Sequence, residues 1–170
     1  MHYTIRTAAL CGVEAFRVDA EVDLSQAADP MSSNFLMVGL PDAAVRESRQ
    51  RIRSAITNTG FYFPPMRVTV NLAPADLKKA GSAFDLPIAV GILAANGKLG
   101  PNARLVTETL FYGELGLDGR VRPVRGALAV AMACRRAGIA RLVVADESGR
   151  EAAVVGGVAV YGVSTLRAAI

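Results

Sequence analysis

The chain has 170 residues, 52% of them hydrophobic and 20% charged, with a formal net charge of +4 and a pI near 9.4. That length holds one compact core and leaves little room for two, and the apolar content excludes general disorder. No apolar run reaches the ~18 residues that span a bilayer, and the opening Met-His-Tyr-Thr-Ile-Arg lacks a signal peptide's apolar segment, so the expected compartment is the cytoplasm.

Residues 2–10 and 13–24 alternate and meet at Cys11-Gly12, which predicts an opening hairpin. In its second strand Val18, Ala20, Val22 and Leu24 point one way and Arg17, Asp19, Glu21 and Asp23 the other, the pattern of a half-solvated antiparallel strand. A loop over residues 27–33 and a short buried strand over residues 34–40 follow. Pro41 and Gly60 bracket the first helix, with Val45, Ile52, Ala55 and Ile56 on one stripe. Arg46, Arg49 and Arg53 form a second stripe, either a solvated face or a surface for phosphates. Tyr62-Phe63-Pro64-Pro65 reads as a stiff connection.

The middle of the chain predicts a strand over residues 67–71, a polar loop with Lys78 and Lys79, and an apolar helix over residues 86–95. A loop over residues 97–104 precedes a hairpin of residues 109–117 and 120–124, closed by the two-residue turn Asp118-Gly119. A helix over residues 125–137 ends at Gly138. Strands over residues 141–145 and 158–163 flank a short helix over residues 147–153, and a last helix opens on Ser164. The sum is one α+β domain over residues 1–170, a mixed sheet with packed helices.

Few motifs carry chemistry. His2 is the only histidine, which excludes a Ser-His-Asp triad and a multi-histidine zinc site. Cys11 and Cys134 lie in apolar settings without a ligand-spaced partner and read as buried free thiols. The nearest approach to a phosphate-binding P-loop, Gly91 to Leu99, has one residue too many and falls at a helix end. Gly113, Gly116 and Gly119 belong to the hairpin. Glu114 and Asp118 have no third carboxylate at a fixed offset, so no metal is expected. Ser82 near a helix start, with Lys78 and Lys79 before it, has the ingredients of a Ser–Lys pair. Ser82-Ala-Phe-Asp85 also has capping-box spacing, and Asp85 is a rival cap that would place Pro87 in the first turn.

The runs VNLAPADLKKAGSAFDLPIAVGILAANG and FYGELGLDGRVRPVRGALAVAMACRRAG, with Gly12-Val-Glu-Ala and Val38-Gly-Leu-Pro-Asp42, resemble the N-terminal domain of the ComM/YifB group of magnesium-chelatase-related AAA+ ATPases. The resemblance implies a fold similar to the Lon protease domain, the RadA C-terminal domain and the second domain of a small-subunit ribosomal protein. It places Ala83 where Lon has its nucleophilic Ser and Leu128 where Lon has its Lys, which implies no catalytic residues here. It further implies a longer parent protein whose ATPase module follows residue 170 and holds the ATP and Mg2+ that this chain is not expected to bind. Its expected partners are that module, neighbouring subunits of a hexamer, and DNA during branch migration in natural transformation. Basic clustering then nominates Arg46, Arg49, Arg53, Lys78, Lys79, Arg120, Arg122 and Arg125 for DNA contact. The alternatives are a Ser82 peptidase of Lon type or a pure oligomerisation module.

Overall fold

A computed structural model describes residues 1–26 and 35–170. The loop expected over residues 27–33 and the first residue of the strand expected from Asn34 lie outside the described residues.

The chain opens as β1 (His2–Cys11) and β2 (Glu14–Ser25), paired antiparallel from His2↔Asp23 to Cys11↔Glu14. The edge strand β3 (Phe35–Val38) leads into α1 (Ala43–Asn58), and β4 (Arg67–Ala73) into α2 (Asp85–Ala95). The short α3 (Ala103–Thr107), β5 (Thr109–Phe111), β6 (Glu114–Leu115) and β7 (Val121–Arg122) follow. Then come α4 (Ala127–Arg136), β8 (Arg141–Ala145), α5 (Asp146–Ala153) and β9 (Ala159–Val163). Seven strands form one mixed sheet in the order β3-β4-β2-β1-β5-β8-β9, and β6 and β7 make a separate ribbon.

Helices cover the two faces unequally. On one face α1 and α2 pack on Val18, Ala20 and Val22 of β2 and Val68, Val70 and Leu72 of β4. On the other, α4 and α5 pack on Ala8, Leu110, Leu142 and Val144. The helix α2 has no polar side: all eleven of its residues are buried. It lies close on the sheet because Gly91 has no side chain; a Cβ there would sit 2.6 Å from Val22 Cγ2 and 3.2 Å from Ile5 Cγ1. The stripe Val45, Ile52, Ala55 and Ile56 is fully buried, as its period requires.

Four local expectations are corrected. Thr109–Phe111 joins the main sheet beside β1 and β8 instead of the hairpin, because Phe111 and Leu110 are both buried, one on each face. The Asp118-Gly119 turn is a five-residue connection between Leu115 and Val121, with Gly119 at φ 82° and its N–H on the Gly116 carbonyl. The helix expected from Ser164 is a 3-10 turn over Arg167–Ala169, whose Ala168 N–H reaches Thr165 Oγ1 at 3.2 Å. Cys134 is buried, which pushes its thiol up to about 11, but Cys11 is exposed at the hairpin tip. Among the described residues, no helix is long and apolar enough to cross a membrane.

Candidate functional site

The loop between β4 and α2 is held down by the start of α1. After β3 the chain turns through Gly39 (φ 91°) and Leu40 (φ 56°). The Leu40 carbonyl then accepts the Lys79 N–H at 3.4 Å, and the Lys79 carbonyl accepts the Asp42 N–H at 3.0 Å. Asp42 does double duty. One carboxylate oxygen caps α1 by accepting the Val45 N–H at 2.8 Å, and the other accepts the Gly81 N–H at 3.3 Å.

These contacts draw Lys79 inward. Its side chain is 0% exposed and its ammonium donates to the Pro74 carbonyl. Burial lowers its pKa, with Asp76 opposing. The expectation of a solvated Lys79 available to DNA is therefore corrected, since a fully buried ammonium reaches no phosphate. Lys78 beside it is exposed.

Ser82 and Asp85 also depart from their expected capping roles. The Ser82 hydroxyl donates to the Glu114 carboxylate, which lies 3.7 Å from Arg122 Nη1. Phe84 occupies the cap position of α2, with no side-chain cap bond. Asp85 sits inside the helix, 0% exposed, and accepts from Arg51 Nε at 2.8 Å and Nη2 at 3.2 Å, and from the Leu115 N–H at 3.3 Å. Burial pushes its carboxyl up to about 6, against the pull of Arg51. Sequence reasoning missed this pair. The available signal was an acid opening an otherwise apolar run, which a cap explained equally well.

Ala83 is buried in the cluster under α4 that includes Ala127. Leu128, one residue on, is 39% exposed and donates its N–H to Glu151 at 3.0 Å. Among the described residues, no group of three or more His, Cys, Asp or Glu side chains gathers to hold a metal.

The basic candidates fall into separate places. Arg46, Arg49 and Arg53 line one shallow groove with Phe35, Leu36 and Gln50, where Glu47 is the sole acid among the described residues. Arg49 is fixed there by the carbonyls of Arg46 (3.0 Å) and Phe35 (3.1 Å), and the Arg53 guanidinium lies 4.3 Å above the Phe63 ring. Arg120 and Arg122 line a different groove, shared with Asp118, Asp146 and Glu147. Arg120 pairs with Asp118 at 3.4 Å. Arg125 is exposed, and its carbonyl accepts from the Tyr112 hydroxyl. The structure thus gathers the three α1 arginines and leaves the hairpin cations among acids.

Comparison with known proteins adds a family. The family described as subunit ChlI of Mg-chelatase matches residues 20–148. The competence protein ComM of Haemophilus influenzae is 41% identical over 155 residues, which is 91% of this chain and 29% of that protein. The uncharacterized protein YifB of Escherichia coli is 39% identical over 153 residues, 90% of this chain and 29% of its own. An uncharacterized protein of Mycobacterium tuberculosis is 44% identical over 158 residues, 93% of this chain and 30% of its own. The chain therefore spans about 30% of the length of the curated relatives it matches.

Proposed function

This chain belongs to the ComM/YifB family of magnesium-chelatase-related proteins, and from that premise we propose that it is a non-catalytic, Lon-like module of a cytoplasmic AAA+ ATPase that acts on DNA. In this reading it supports assembly of a hexameric ring and contacts DNA during branch migration in transformation and recombination. ATP and Mg2+ belong to the ATPase module, outside these residues.

The observation that carries the DNA reading is the groove of Arg46, Arg49 and Arg53, three cations on one helix face with a single acid among the described residues that line it. Such a surface neutralises phosphates without reading sequence. The non-catalytic reading is supported by the partners of the two groups that a Ser–Lys mechanism would need. Ser82 is engaged by Glu114 and Lys79 by Pro74, and the resemblance to the Lon domain puts Ala83 and Leu128 in place of a nucleophile and a base.

The test uses the full-length protein carrying Arg46→Glu, Arg49→Glu and Arg53→Glu together. Expected is weaker DNA binding across all sequences, with the slope of log affinity against log salt reduced by ~1 for each phosphate that is no longer neutralised. Unchanged affinity and slope would overturn the assignment. A serine-reactive phosphonate that labels Ser82 would overturn the non-catalytic reading.

A further inference from the structure

The three arginines of the α1 groove are not equivalent. Arg46 and Arg49 are exposed, and Arg49 is anchored by the Arg46 and Phe35 carbonyls, while Arg53 is half-buried. The Arg53 guanidinium lies 4.3 Å above the buried ring of Phe63, and that ring stands 6.2 Å from the ring of Phe35. A cation that serves phosphate alone gains by standing out in water, as Arg46 does. A guanidinium laid on an aromatic ring is presented as a plane, and such a plane stacks on a nucleobase as well as it pairs with a phosphate.

The lining beside these arginines suits a base better than a further phosphate. Phe35 and Leu36 of β3 both border the groove, and Leu36 is 48% exposed. Apolar side chains offer a phosphate nothing, but they cover the face of an unpaired base. Paired bases hide those faces inside the stack, and a helix that reads them enters a major groove about 12 Å wide. The arginine face of α1 instead forms one side of a shallow groove whose other residues belong to the β3 edge. That shape takes a single strand laid along it.

Resting on the DNA-contact reading above, we propose that this groove takes single-stranded DNA, with phosphates on Arg46 and Arg49 and an unpaired base stacked on Arg53 beside Leu36. Phe63 is then a positioning residue, whose ring backs the guanidinium while the base covers it from outside. Contact of this kind accepts any sequence, because every base has a π-face. It also divides the binding into two parts. The phosphate contacts release counterions and weaken with salt, whereas the stacked base releases none.

The full-length protein is tested with a thymidine oligonucleotide and with a strand of the same length built from abasic sugars, which keeps the phosphates and lacks the bases. Wild type is expected to bind the first about tenfold more tightly, a gap that one stacked base supplies. Arg53→Lys keeps the charge and loses the plane. It is expected to narrow the gap to about twofold while leaving affinity for the abasic strand unchanged. Equal binding of the two strands by wild type, or a gap that Arg53→Lys leaves intact, would overturn the inference. So would an equal loss on both strands, which marks Arg53 as a phosphate contact only. Each of these results leaves the DNA-contact reading standing. That reading falls instead if the variant with glutamate at all three arginines binds DNA as wild type does.

Discussion

Arg51, midway along α1, grips the carboxylate of Asp85 at the first turn of α2 with two hydrogen bonds, of 2.8 and 3.2 Å. Asp85 is fully buried and Arg51 is 26% exposed, so the acid bears most of the desolvation cost. The pair joins two helices and, through the Leu115 N–H, the β6–β7 ribbon.

Stability should carry the signature of this acid. Its folded pKa, near 6, is raised above the ordinary value of 3.8, so the folded state binds its proton more tightly than the unfolded state. The stabilising contribution is complete below about pH 4 and is lost as pH rises through about 6, a change of ~3 kcal/mol. Asp85→Asn is expected to flatten this part of the profile. Urea unfolding from pH 4 to 7 checks it; an unchanged slope in the variant would place the titration elsewhere.

Gly91→Ala is expected to cost ~1–3 kcal/mol, since the new methyl overpacks against Val22 and Ile5. Adding Val22→Ala should recover part of that loss, because it removes the atom that the new Cβ would meet. A double-mutant cycle by thermal unfolding measures the coupling; strictly additive costs would mean that α2 can lift off the sheet freely.

Asp42→Ala removes both the α1 cap and the hold on Gly81. A destabilisation of ~1–2 kcal/mol is expected, with the larger local effect in residues 74–84. Hydrogen exchange should show faster exchange in that loop than in α4.

The two adjacent lysines should behave differently. Lys78→Glu places an acid on an exposed site and is expected to weaken DNA binding. Lys79→Met replaces a buried ammonium and is expected to leave DNA affinity unchanged. Salt-dependent binding of the two variants side by side distinguishes them.

Much of this architecture was legible in the sequence because its periods are strong. The alternation of β1 and β2, the apolar stripe of α1 and the unbroken apolar run of α2 each appear where pattern placed them. The interior role of Lys79 was hidden because it arises from pairing with Leu40 and Asp42, nearly forty residues earlier, and local composition says nothing about such a partner. The same holds for Asp85, whose partner Arg51 stands 34 residues away on another helix. Cys11 misled for the opposite reason: its neighbours are apolar, yet it stands at the hairpin tip, where Leu10, Cys11, Gly12, Val13 and Glu14 are all exposed.

The position of β1 in the sheet has a consequence for synthesis. Its first neighbour, β2, leaves the ribosome at once, but its second is β5, where Arg6 meets Leu110, 104 residues later. At ~5–20 residues per second the nascent hairpin waits on the order of 5–20 s with that flank unfilled. Chaperones acting on the emerging chain would find their target there, and slowing translation before codon 110 should lengthen the vulnerable interval.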